Sequence, residues 1–282
     1  MKINATIADA YLNSEDVTGF SSLWLYTDRT ERGIENVFTA PPEEPAMRET
    51  VARIKEEIIS HASTFVPCNA WLWDALFDDW RSFLETVTLD LIVGYPYGND
   101  ASVKQAPDGK QHMIFDLVSW GKYVGKIPLS VLSQNLLTHE LFHVMVGKCY
   151  PEIESVEMYG EYADQLDAIT FNEGFAHLVA YDQQEINTVS WSGEELTEVY
   201  NASADRMNEA LKEKSAEKQK QYVCEANFGR YYSKYACMCG MIYLGRQWQN
   251  GGTAELKKLF YQGYHGFAAK STAYRQNQQN TD

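Results

Sequence analysis

Residues 128–147 read Pro128-Leu129-Ser130-Val131-Leu132-Ser133-Gln134-Asn135-Leu136-Leu137-Thr138-His139-Glu140-Leu141-Phe142-His143-Val144-Met145-Val146-Gly147. Apolar side chains recur on nearly every face of a helix drawn through Leu129 to Val146, which predicts a helix in the protein interior. Pro128 suits a first-turn position, and Gly147 followed by Pro151 is a stop signal. Inside this apolar helix sits His139-Glu140-Leu141-Phe142-His143, the pattern HExxH. Two histidines one helical turn apart project from the same face, so both imidazoles can reach one ion at about 2.0–2.1 Å. Glu140 is rotated about 100° from His139 and stays near that face, where a carboxylate can accept a proton from an activated water. Burying these three polar groups without a metal would leave donors and acceptors in need of partners, which is costly.

Thirty residues past His143 comes Phe171-Asn172-Glu173-Gly174-Phe175-Ala176-His177, on a second predicted helix from about Asp164 to Tyr181. A catalytic zinc takes three protein ligands and keeps one position open, and a glutamate on a neighbouring helix can be the third ligand. HExxH followed by Asn-Glu-x-x-x-His resembles the gluzincin metallopeptidases, the thermolysin-like and aminopeptidase-like clan. The resemblance implies that His139, His143 and Glu173 hold the zinc and that Glu140 is the general base. It also implies a role for His177, one turn after Glu173, where thermolysin-like enzymes have an Asp that buttresses a ligand histidine. A helix histidine hydrogen-bonded for structure alone is the other reading of His177. Gluzincins further supply a Tyr or His that donates to the tetrahedral oxyanion. The aminopeptidase branch opens a Tyr-x-Lys-Gly-Ala stretch on a later helix with that Tyr, and Tyr232-Ser233-Lys234-Tyr235-Ala236 matches it except for Tyr235 in place of Gly. Tyr232 is therefore the candidate donor, with His265 as fallback; Tyr231, Tyr232 and Tyr235 can equally be read as core or surface aromatics. The strand that binds a free amino terminus in that branch, Gly-Ala-Met-Glu-Asn, has no counterpart here. The resemblance covers roughly Pro128 to Phe260, and as a whole the chain is similar to uncharacterised predicted zinc-dependent peptidases of bacterial genomes.

The composition suits a folded enzyme: 282 residues, 45% hydrophobic and 22% charged. A formal charge of −15 disfavours nucleic acid and anionic membranes as partners; a peptide or protein substrate is what the resemblance to the gluzincins implies. Five cysteines, Cys68, Cys149, Cys224, Cys237 and Cys239, are scattered and odd in number, which predicts reduced thiols. Cys237-x-Cys239 lies on a helix where the two side chains face apart, so both read as buried small hydrophobes. No run reaches the roughly 18 apolar residues of a membrane span, and the first twenty-five residues lack the order of a signal peptide. A cytoplasmic protein is expected, or one whose export signal was removed.

Composition shifts near Pro128, so the expected class is α+β, with residues 1–127 forming one wall of a cleft from helices and a small mixed sheet. Residues 128–282 form a helical zinc-binding part, the two making one catalytic unit. In the first part, Glu43 to Ser60 reads as an amphipathic helix on Met47, Val51, Ile54 and Ile58. Trp71, Trp73, Phe77, Trp80 and Phe83 read as buried core. Thr88 to Tyr95 and Gln111 to Trp120 read as neighbouring strands, the second preceded by a turn at 107–110. In gluzincins an edge strand pairs with extended peptide, a role open to either strand. In the second part helices are expected over Glu194 to Tyr222, Gly229 to Gln249 and Thr253 to Tyr261, and the acidic residues Glu152, Glu154, Glu157 and Glu161 read as a solvated loop. The expected reaction is zinc-dependent hydrolysis of a peptide bond. Its rival is a non-catalytic zinc-binding module that recognises a partner.

Overall fold

The computed structural model describes residues 1–30, 33–96 and 100–279. In chain order they form strand β1 (Lys2–Asn4), helix α1 (Thr6–Leu12), strands β2 (Thr27–Thr30) and β3 (Gly33–Asn36), and helices α2 (Pro45–Ala62), α3 (Ala70–Leu76) and α4 (Trp80–Leu84). Strands β4 (Thr88–Ile92), β5 (Ala101–Gln105) and β6 (Gln111–Asp116) follow, with helix α5 (Leu117–Trp120) directly after. The remainder is helical: α6 (Leu129–Cys149), α7 (Ile153–Tyr159), α8 (Tyr162–Val179), α9 (Glu194–Ala210), α10 (Ala216–Ala226), α11 (Tyr235–Gln262) and α12 (Phe267–Gln279). The class is α+β, 64% helical with a helical C-terminal half. No helix among the described residues is long and apolar enough to cross a membrane.

The chain divides into two compact units, the first made of Met1–Pro67 and Asp79–Val144 and the second of Cys68–Asp78 and the residues from Met145 on. The first unit holds a four-stranded sheet in the order β1-β4-β6-β5, in which β1, β4 and β6 run parallel and β5 is antiparallel to β6. Leu89, Leu91, Ile92 and Val93 are all fully buried, as befits a strand covered on both faces. Val51, Ile54 and Ile58 of α2 are likewise fully buried, so its predicted apolar stripe is its packing face. Both strands proposed as peptide-pairing edges are interior, because β4 lies between β1 and β6 and β6 between β4 and β5. The edges of this sheet are β1 and β5. The strand expected over Gln111 to Trp120 stops at Asp116, whose carboxylate accepts from the backbone N–H groups of Val118 and Ser119 and so caps α5. Asp116 also accepts from the N–H of Tyr95 at 2.5 Å, which ties the end of β6 to the end of β4.

The second unit is built on α8 and α11. Phe171, Phe175, Phe260 and Phe267 are buried within it, with ring centroids 5.1–5.7 Å apart in the pairs Phe171–Phe175, Phe171–Phe267, Phe175–Phe260 and Phe171–Phe260. From the aromatic stripe, Trp73 and Phe77 join this core, the latter 5.2 Å edge-on to Phe260. Gly174 of α8 and Gly240 of α11 let the two backbones touch: a Cβ on Gly240 would meet the carbonyl oxygen of Thr170 at 2.3 Å and the Cα of Gly174 at 3.0 Å. The helix expected over Glu194 to Tyr222 is broken between α9 and α10, where the Glu213 carboxylate accepts from the N–H groups of Lys214 and Ser215. The helix expected from Gly229 begins at Tyr235, because neither Gly229, at φ of 113°, nor Lys234, at ψ of 81°, has helical backbone. The two later helices predicted on either side of residue 251 are the two segments of α11, which meet at Gly252, where φ of 63° and ψ of −155° are not helical. The acidic stretch expected as a loop contains α7, an added helical turn pair that buries Ile153.

Candidate metal centre

The HExxH residues lie on α6 within the first unit, and that part of the helix is fixed by Gln134. Its Oε1 is 2.5 Å from His61 Nε2 of α2, and its Nε2 donates to the carbonyl of Val66 at 2.8 Å. Leu137, Leu141, Phe142 and Val144 are buried on the remaining faces. Five residues beyond Gln134, the rings of His139 and His143 stand 4.6 Å apart at 81°, with their Nε2 atoms 3.0 Å from each other. Two neutral imidazoles cannot both aim a lone pair along that line without repulsion; a proton shared between them or one cation facing both resolves it. Nitrogen donors one turn apart suit zinc in kind and in spacing. Glu140 is 7% exposed and sits on the same turn.

The second unit carries the other half of the motif on α8. Thirteen residues of this helix, from Leu166 to Val179, are buried, and Phe171 and Phe175 pack one of its faces into the aromatic core. Glu173 points elsewhere. Its Oε1 accepts from Nδ2 of Asn227 at 2.6 Å, and its Oε2 lies 3.4 Å from Nδ1 of His177. His177 Nδ1 also donates to the backbone carbonyl of Glu173 at 2.9 Å, so its Nε2 is the ring atom that carries the lone pair in the neutral form. Asn172, beside Glu173 in sequence, turns the other way and donates to Glu157 Oε1 of α7 at 2.9 Å.

Glu157 has its carboxyl pushed up to about 8, by burial first and then by the negative charge of Glu173. In the metal-free protein the folded form therefore keeps a proton that the unfolded chain gives up above its ordinary carboxylate pKa. The stability that this proton supplies is complete at acid pH and is lost as pH rises toward about 8. The associated change in stability is on the order of a few kcal/mol. Glu157→Gln is expected to flatten that slope and to raise the melting temperature of the metal-free protein at pH 8. Parallel thermal melts of both proteins between pH 5 and 8 check it.

Tyr232 is in a short 3-10 turn, Tyr231–Ser233, ahead of α11 rather than on a helix as expected. Its hydroxyl is 3.0 Å from that of Tyr181, and its ring is 5.3 Å from Tyr231, which in turn is 5.5 Å from His177. Tyr235 is buried and donates to the carbonyl of Tyr222 at 2.9 Å, which explains why a large residue is accepted at that position. His265 is 75% exposed and pairs with Asp164 at 3.7 Å. Cys237 and Cys239 are both fully buried and address different partners, Asn227 and Ser271. Two residues of the site carried no signal in the sequence, Asn227 and Glu157. One lies in a turn, and the other looks like any surface acid.

Residues 26–278 match the sequence model of the family described as "Putative zinc dependent peptidase (DUF5700)". The chain belongs to this family. No curated protein and no solved structure matches it. The family is described as zinc dependent, and Glu173 and His177, 3.4 Å apart on α8 of this member, are residue types that hold such an ion.

Proposed function

We propose that the chain is a gluzincin-type peptidase in which His139, His143 and Glu173 hold zinc, His177 buttresses Glu173, and Glu140 is the general base. The observation that carries this reading is the pair of Nε2 atoms 3.0 Å apart on one turn of a buried helix, with Glu140 between the two histidines in sequence. Zinc bound there would supply a Lewis acid for the scissile carbonyl and lower the pKa of an attacking water toward about 7. Glu140, held in a buried turn, takes the proton of that water and passes it to the leaving amine. The Glu173–His177 contact keeps the carboxylate and the imidazole on one face of α8. Tyr232 is the oxyanion donor of this reading, its hydroxyl oriented by that of Tyr181. The substrate is a peptide or protein.

Metal removal tests the reading. The purified chain is expected to hold one zinc and to cleave casein or a fluorogenic peptide. Dialysis against a strong chelator is expected to abolish cleavage, and stoichiometric zinc to restore it. A protein that cleaves equally well after its metal is gone, or one that binds zinc and cleaves no peptide, would overturn it.

A further inference from the structure

We propose that Asn227 is a positioning residue for the metal site, holding the Glu173 carboxylate by its side-chain amide while the thiol of Cys237 fixes which way that amide points. The inference rests on the reading of Glu173 as a ligand and adds two residues to it. A carboxylate only accepts, so the 2.6 Å contact from Asn227 to Glu173 Oε1 must be made by the amide nitrogen. The amide oxygen then faces Cys237, whose Sγ lies 3.0 Å from Asn227 Oδ1 and 3.5 Å from the carbonyl of Ala226. Cys237 is fully buried on α11, and burial pushes its thiol well above the ordinary range, so it carries a proton to donate. If the amide turned over, its NH₂ would face the thiol and its oxygen would face a carboxylate. Both contacts favour one orientation.

The consequence falls on Glu173. With Oε1 occupied by the amide, the carboxylate is stopped from rotating about its last torsion and presents its second oxygen, Oε2, on the His177 side. A ligand held in advance loses less freedom when the metal arrives, and removing such outer partners costs roughly 10–100-fold in metal affinity. Both polar ends of the Asn227 side chain are engaged in these contacts, although the residue lies in the turn after α10, 54 residues from Glu173.

The test is the zinc dissociation constant of the full chain, read by competition with a chromogenic chelator, with circular dichroism of the zinc-free protein as a check on folding. Asn227→Ala is expected to bind zinc roughly 10–100-fold more weakly than wild type. Asn227→Asp, equal in shape but without the donor, is expected to lose at least as much, which a role in packing alone would not produce. Cys237→Ala is expected to weaken binding and Cys237→Ser, which keeps a donor, to recover part of the loss. If Glu173→Gln loses zinc while the two Asn227 variants stay within about twofold of wild type, the relay is wrong and the ligand assignment stands. If Glu173→Gln binds zinc as wild type does, or wild type binds none, the ligand assignment fails and the relay with it. Should Asn227→Ala not fold, the Asp variant and the Cys237 pair decide the matter.

Discussion

Glu140→Gln is expected to keep zinc and to lower kcat on a peptide substrate by about 10²–10⁴-fold, the range that a positioned proton acceptor contributes. Glutamine has the shape of glutamate and fills the same 7%-exposed position on α6, so Leu141, Phe142 and the two imidazoles need not move. What it lacks is a carboxylate to accept a proton. A metal bound by His139, His143 and Glu173 would be retained, because the substitution touches none of them. Zinc content by elemental analysis, set beside single-turnover cleavage, separates the two effects. A variant with full zinc and full activity would reject Glu140 as the base, whereas a variant without zinc would show that the residue serves the metal instead.

The second large effect concerns Gly240. A Cβ there would stand 2.3 Å from the carbonyl oxygen of Thr170 and 3.0 Å from the Cα of Gly174, and both are backbone atoms that no change of rotamer can move away. Gly240→Ala therefore has to push α11 off α8, which costs about 3 kcal/mol or more for an overpacked contact. That corresponds to a fall of roughly 6–12 °C in Tm for a unit of this size. Because Gly174 follows Glu173 directly, the displaced segment of α8 is the one carrying the proposed ligand, and zinc affinity is expected to fall together with stability. Gly147→Ala on α6 is the contrast: nothing lies within 4 Å of its Cβ, and exchanging an open helical glycine for alanine stabilises by about 1 kcal/mol. Thermal unfolding of both variants checks the pair. Equal melting temperatures would show that the helix crossing yields easily.

Features set by local spacing were readable from the chain. The heptad-like stripe of Val51, Ile54 and Ile58, the apolar run through Leu89 and Leu91, and the one-turn separation of His139 and His143 each depend on residues that are close in sequence. Features set by a single side chain acting on the backbone were not. Asp116 ends a strand and starts a helix through two hydrogen bonds, and its apolar neighbours Leu117, Val118 and Trp120 suit either state. Gly229, at φ of 113°, and Lys234, at ψ of 81°, bracket the turn that holds Tyr232 ahead of α11. The environment of Glu173 was the least accessible part. Its amide partner comes from a turn 54 residues on, and Glu157, in an acidic stretch that reads as solvated, turns inward to Asn172.

The parallel pairing of β1 with β4 carries a consequence for how the chain acquires its structure. Lys2 aligns with Thr88, and Asn4 reaches Asp90, 86 residues away, with a 2.7 Å hydrogen bond. β1 leaves the ribosome well before β4 and waits for it, while the β5–β6 hairpin can zip as soon as its turn at 106–110 has emerged. Closing so long a loop before any contact rewards it slows the step, and until then the edge of β4 that β1 will cover stays open to other nascent chains.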